Sequence, residues 1–321
     1  MNDDSPIPIF LCSDENYFPH LCVVIASVVK NTNADIHFIV LTSSKSDAEK
    51  EKVARVCGGT KISFVSAGEY ERVFASLPKR HDHISAATCL RYLIPQLDFP
   101  YDKGIYLDCD VVVCGDIRRL FNIDIGDAYV GGVYDYMFGK YASSLKIGNY
   151  FNAGVLLMNI KRMREENVTK MLINATLKMR NEIKYLDQDI MNIVLGERAV
   201  ILPPKFGAIS TLYRKRLPPA PRQREKDIDD AIYRPVAVHF TGPDKPWIIP
   251  YGITAHPWTP LYFYYLERTP YADLKAPILR DFKYFARLCW YSFRHILFFM
   301  RPHFWKMRVL YLKNKHIYAK G

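Results

Sequence analysis

Several features are missing from this sequence, and each absence narrows what the chain can do. No CxxC pair occurs, and the seven cysteines are scattered and often flanked by apolar residues, as Cys22, Cys57, Cys89 and Cys289 are. Neither a disulfide framework nor a cysteine-based zinc site is expected, and reduced cytosolic thiols are the default. No apolar run approaches the roughly 18–20 residues of a membrane span. The opening Met1-Asn2-Asp3-Asp4-Ser5-Pro6 is acidic where a secretory leader would be basic and then apolar, so export is not expected. The glycine fingerprint GxGxxG of a dinucleotide fold is absent, so any nucleotide must be held by another device. Acid is scarce in one region: residues 275–321 hold eleven of the 44 basic side chains but only Asp281 of the 33 acids. The other 274 residues balance 33 basic groups against 32 acidic ones. The chain is a near-neutral body with a basic tail.

What is present suits a globular α/β protein. The 321 residues are 49% hydrophobic, enough to bury a sizeable core in one large or two ordinary domains. Apolar runs predict strands over 7–13, 36–42, 61–67, 104–113, 129–134, 151–160, 199–203 and 236–240. Helical periodicity predicts helices over 18–30, 45–56, 86–97, 163–183 and 187–195. Strands alternating with helices imply a mostly parallel, doubly wound sheet, with ligands beyond the carboxyl ends of its strands. Residues 204–235 are Pro-rich and charged, and are expected to form a functional lid or a disordered connection.

The sharpest local signal is Leu107-Asp108-Cys109-Asp110-Val111 in an apolar strand. Side chains two apart on a strand share a face, so both carboxylates are expected to project together. Two crowded carboxylates repel and lose hydration, a conflict that a hard divalent cation such as Mn²⁺ or Mg²⁺ resolves. His239, at the end of the last strand, can add a nitrogen ligand. Gly242 permits close backbone approach to a phosphate, and Lys245 brings a point positive charge. Asn152 offers a donor and an acceptor suited to a sugar. Asp187 suits either a helix N-cap or a sugar hydroxyl, and Arg91 either a ligand or a structural ion pair.

Six motifs in order, FLCSDENY, HIS-x5-R, GIYLDCDVVV, YFNAGVLLMN, YLDQDIMN and VHFTGPDKPW, resemble glycosyltransferase family 8 over roughly residues 8–250. The likeness is strongest to its bacterial lipopolysaccharide and lipooligosaccharide galactosyl- and glucosyltransferases. This resemblance implies a GT-A, Rossmann-like nucleotide-sugar-binding fold, a UDP-sugar donor, Mn²⁺ with Mg²⁺ as substitute, and retention of anomeric configuration. It implies that Asp108, Asp110 and His239 hold metal, with Cys109 between the acids in the donor site. It places Asp14 and Asn16 at the uridine and His83, Gly242 and Lys245 at the diphosphate. Arg91, Asn152, Ala153, Asp187 and Gln188 fall at the donor sugar, with Asp187 and Gln188 the catalytic candidates. Retention ordinarily suggests a covalent intermediate on a carboxylate. Gln188 is a poor nucleophile, which points instead to same-face attack.

The tail interleaves cations with Phe, Tyr and Trp, a composition suited to helices in an anionic membrane interface, although part of it could pack on the body. The expected organisation is a catalytic domain over 1–250, with 204–235 on its acceptor side. A helical, membrane-associating region follows over 251–321. The expected partners are a UDP-sugar, a lipid-linked oligosaccharide acceptor and the inner face of the cytoplasmic membrane, with no nucleic acid. Galactose is ranked ahead of glucose as the transferred hexose. The competing readings are a metal-dependent sugar-nucleotide nucleotidyltransferase and a non-catalytic glycan- or membrane-binding protein. The former usually carries a Gly- and basic-rich phosphate loop where this chain has Ser-Asp-Glu-Asn-Tyr.

Overall fold

A strand with no polar alternation has to be covered on both faces. Strand β1 (Ile7–Ser13) is buried along its whole length. Its Ile7, Ile9 and Leu11 enter one core and Phe10 and Cys12 the other. The computed structural model describes residues 5–66, 68, 86–136, 139–179, 182–214, 222–242, 245–248, 256–274, 293 and 305–319. Helix α1 (Phe18–Asn31) follows, with Pro19 in its first turn, where a missing N–H costs nothing. Then come β2 (Ile36–Thr42), α2 (Asp47–Val56) and β3 (Lys61–Val65). Helix α2 is started by Ser46, whose hydroxyl accepts from the Glu49 N–H at 3.3 Å.

Beyond a 3₁₀ stretch at Ala86–Gln96 lie β4 (Gly104–Leu107) and β5 (Val111–Val113). Next are β6 (Val130–Tyr134), β7 (Phe151–Met158), α3 (Val168–Met179) and α4 (Leu186–Leu195). They are followed by β8 (Ala199–Leu202), β9 (Ala208–Ile209), α5 (Arg222–Tyr233) and β10 (Ala237–His239). Among the described residues the main sheet runs β3-β2-β1-β4-β7-β6-β8. Its first four strands are parallel; β7 is antiparallel to both neighbours, and β8 is parallel to β6. A small sheet, β5-β10-β9, stands beside it, with β10 antiparallel to β5 and parallel to β9.

Four sequence expectations need correction. The apolar run 104–113 is two strands in two different sheets, because the chain turns at Asp108–Asp110, where Val111 N–H bonds back to Asp108 O at 3.2 Å. The 86–97 segment is 3₁₀, and Pro95 inside it removes an α-helical donor. The long helix expected over 163–183 is broken at Asn167, whose φ of 53° is left-handed. Finally, the disordered alternative for 204–235 does not hold over its described residues 204–214 and 222–235, which carry β9 and α5.

Near the end, α6 (Thr259–Leu266) is buried in the same core as α1. Helix α7 (Trp305–Ala319) packs on it: Leu310, Tyr311 and Asn314 are buried, and Asn314 Nδ2 donates to Pro257 O at 2.9 Å. Val309, Leu312, Lys313, Lys315 and His316 face outward. The remainder of the basic, aromatic tail, apart from an exposed Phe293, lies outside the described residues. Among the described residues no helix is long and apolar enough to cross a membrane.

Candidate functional site

The turn that ends β4 delivers Asp108 at the edge of the large sheet and Asp110 at the start of the small one. Register then places His239 opposite Val111, so the last residue of β10 arrives beside both acids. Ligand atoms of Asp108, Asp110 and His239 all lie within 4.8 Å of one another. Nε2 of His239 stands 3.0 Å from Asp110 Oδ1 and 3.8 Å from Asp108 Oδ2. The two carboxylates do converge, but through a turn and a second sheet rather than through strand alternation.

The protonation of His239 follows from its neighbours. Asp135 Oδ2 accepts from Asn152 Nδ2 at 3.1 Å, which fixes the direction of that amide. Asn152 Oδ1 therefore faces His239 Nδ1 at 2.8 Å, and because it can only accept, Nδ1 carries the proton. In its neutral form His239 then presents a lone pair at Nε2. Asp110 Oδ1, buried and without a hydrogen-bond donor, faces that same space. Lone pairs from an imidazole and two carboxylates aimed at one point fit a divalent cation. Gly154 makes the arrangement possible, since a Cβ there would stand 2.0 Å from His239 Cε1.

Lys245 Nζ donates to Asp110 Oδ2 and, at 2.7 Å, to Phe240 O. Burial works to raise the Asp110 carboxyl, but His239 in its protonated form and Lys245 outweigh it and hold the group below the usual carboxylate range. Gly242, at φ 81°, gives the exposed bend between His239 and Lys245. A chain turned this way leaves backbone approachable from outside.

A second cluster adjoins the first. Arg91, 2% exposed, pairs with Asp108 Oδ1 at 2.7 Å and Asp187 Oδ2 at 3.1 Å, and donates to Ala153 O at 2.6 Å. Burial opposes its charge, yet Asp108, Tyr106 and Asp187 more than compensate. Burial pushes the Asp187 carboxyl up; Arg91 pulls it back and Asp108 pushes it up again, leaving it above its ordinary value. Asp187 does not cap α4. The N-cap position is Tyr185, without a side-chain cap, and Asp189 reaches back to accept the N–H groups of Lys184 and Tyr185 at 2.8 Å each. Gln188 Oε1 accepts from Asn152 Nδ2 at 3.1 Å and Ala153 N at 3.2 Å, while its Nε2 donates to Asp135 Oδ2 at 3.3 Å.

At the end of β1, Asp14 Oδ1 accepts the Asn16 N–H at 3.0 Å, and the Asn16 side chain is exposed. Cys109 turns its Sγ to the Cys12 carbonyl at 3.4 Å, into the core. His83 lies outside the described residues. Sequence reasoning missed Asp135, Tyr106 and the glycine at 154. Asp135 belongs to no motif, though an acid directly after the apolar strand Val130–Tyr134 is a usable signal.

The family described as glycosyl transferase family 8 matches residues 8–248. General stress protein A of Bacillus subtilis is 28% identical over 88% of this chain and 100% of its own length. Lipopolysaccharide 1,2-glucosyltransferase of Escherichia coli is 26% identical over 81% of this chain and 77% of its own. Among solved structures, galactosyltransferase LgtC in complex with donor and acceptor sugar analogues superposes with a TM-score of 0.73 at 26% identity, covering 88% of this chain and 100% of that one.

Proposed function

This chain belongs to glycosyl transferase family 8 and has the GT-A fold, and from that premise we propose that it moves a hexose from a UDP-sugar to a lipopolysaccharide- or lipooligosaccharide-type glycan. Galactose is the first choice of hexose and glucose the second, and transfer retains the anomeric configuration. The observation that carries the reading is the convergence of Asp108, Asp110 and His239 beside Lys245. These three residues would hold Mn²⁺, or Mg²⁺ in its place, which supplies positive charge where the diphosphate develops its negative charge.

The chain's own residues account for the rest. In this reading Lys245, bonded to Asp110, offers the departing diphosphate a cation. On the same reading Asp14 and Asn16 hold the uridine and Gly242 approaches the diphosphate, with His83 assigned there by the family resemblance alone. Arg91, Asn152, Ala153 and Asp187 form the wall for the donor sugar, with Cys109 buried behind the acids. In the proposed step the bond from the sugar's anomeric carbon to the phosphate oxygen breaks, and its electron pair stays on that oxygen. The acceptor hydroxyl attacks from the same face and gives its proton to the departing oxygen. The Gln188 amide supports this route, because its oxygen already accepts two hydrogen bonds and has no lone pair aimed outward as a nucleophile. Similarity to a lipopolysaccharide glucosyltransferase and to a galactosyltransferase that binds donor and acceptor sugars motivates the acceptor class.

The test is UDP release from a panel of UDP-sugars, with and without Mn²⁺, for the wild type and Asp110→Ala. The expected result is slow metal-dependent turnover of UDP-galactose or UDP-glucose to water, lost by at least 100-fold in the variant. Turnover of no UDP-sugar under any metal condition overturns the proposal. A glycosyl-enzyme trapped on Gln188→Glu, together with complete loss of activity in Gln188→Ala, overturns the same-face step alone.

A further inference from the structure

Both donors that reach Asp108 land on one of its oxygens. The Tyr106 hydroxyl donates to Oδ1 at 2.6 Å and Arg91 Nη2 at 2.7 Å. Oδ2 is left facing His239 Nε2 across 3.8 Å. The two donors are themselves joined, because the Arg91 guanidinium lies 4.3 Å from the centroid of the Tyr106 ring. That guanidinium also holds Asp187 and the Ala153 carbonyl, so its plane is fixed on three sides. Tyr106 is 1% exposed on β4, so its hydroxyl has little water to turn to in place of Asp108.

We infer that Tyr106 is a positioning residue of the cation site: its hydroxyl, with the Arg91 stacked on its ring, turns Asp108 so that Oδ2 is presented to a divalent cation. The inference rests on the metal reading above and goes beyond it by naming what aims the first acid. A carboxylate with neither oxygen tied rotates about its Cβ–Cγ bond and presents a ligand atom only part of the time. One with a doubly donated Oδ1 has already lost that freedom before the cation arrives. Outer groups of this kind alter metal affinity by roughly 10–100-fold when removed.

Mn²⁺ binding to the full chain without donor sugar, followed by the electron paramagnetic resonance signal of free Mn²⁺, tests this directly. Tyr106→Phe keeps the ring under Arg91 and removes only the O–H. Its Kd for Mn²⁺ is expected to rise about 10-fold or more, while its KM for the UDP-sugar at saturating Mn²⁺ moves far less. Tyr213→Phe is the control, since it also deletes a buried hydroxyl, one that donates to Ala231 O at 3.1 Å, and its Mn²⁺ affinity should be that of the wild type. Arg91→Lys, which keeps the charge and loses the planar contact with the ring, should weaken Mn²⁺ binding in the same direction. It also serves if Tyr106→Phe fails to fold. A folded Tyr106→Phe with wild-type Mn²⁺ affinity overturns the inference alone. A wild type that binds no Mn²⁺ overturns it together with the metal reading.

Discussion

Gly154 decides more about this site than its size suggests. It is the only kind of residue that lets the His239 ring lie against β7, because any Cβ would overlap Cε1, Nδ1 and Nε2 at 2.0–2.7 Å. Gly154→Ala is therefore expected to push the ring aside, costing about 1–3 kcal/mol in stability as an overpacked core does. Metal-dependent UDP release should fall far more than that loss of stability explains. Thermal unfolding and UDP release on the same preparation check the pair, and full activity in the variant would show that the ring can move without harm. At this scale the sequence was informative where chemistry is local. Asp108, Asp110, His239 and Lys245 were legible because acids, imidazole and ammonium in strand-end positions carry their roles in their side chains. Tyr106, Asp135 and Gly154 were not, because each acts by what it touches: Tyr106 lies under Arg91, Asp135 holds Asn152 and Gln188, and Gly154 makes room for His239, contacts 15 to 85 positions apart that leave no local pattern.

Elements tell a similar story with a different cause. The buried strands β1 and β2 were readable because covering both faces imposes an uninterrupted apolar run. The split of 104–113 was hidden for the same reason: two short buried strands joined by a turn read as one when both halves are apolar. The break in the helical run after residue 160 was hidden because Asn167 is an unremarkable residue until its backbone is seen. Its left-handed φ lets the chain stop one helix and begin α3, where Thr169 donates to Tyr92 O at 2.6 Å and ties α3 to the 3₁₀ stretch. Asn167→Val is expected to lower stability by about 1–2 kcal/mol, since a β-branched residue resists that conformation. Asn167→Gly should be near neutral. Denaturant titration distinguishes them, and equal stability of the Val and Gly variants would mean that the junction tolerates another geometry.

Over the whole molecule, charge is the feature that composition already gave away. Helix α7 sits on the body through Leu310, Tyr311 and Asn314 and turns Lys313, Lys315 and His316 outward with Val309 and Leu312 between them. An apolar and cationic outer surface on a helix held firmly from behind is suited to a peripheral contact with an anionic bilayer. We expect Lys313→Glu combined with Lys315→Glu to weaken sedimentation with phosphatidylglycerol-containing vesicles several-fold. Hydrolysis of a UDP-sugar in solution should be unaltered. Vesicle binding that does not depend on these charges would remove α7 from the membrane reading. Composition fixed the sign of such a surface, but not which face of the helix the body had already claimed.

The two ends of the 210–236 excursion have a consequence of their own. It leaves the small sheet at Ile209 and returns at Ala237, on strands that lie side by side. The two strands are parallel, so the detour departs beside His239 and crosses back to the other end of the pair, and it is tied to the core through Leu212, Tyr213, Ala231 and Ile232. His239 sits two residues beyond the return point, anchored by β5 on its other side. Substitutions on the outer side of the detour, at positions such as Asp229, can therefore accumulate without shifting the imidazole, which the strands on both sides hold in place.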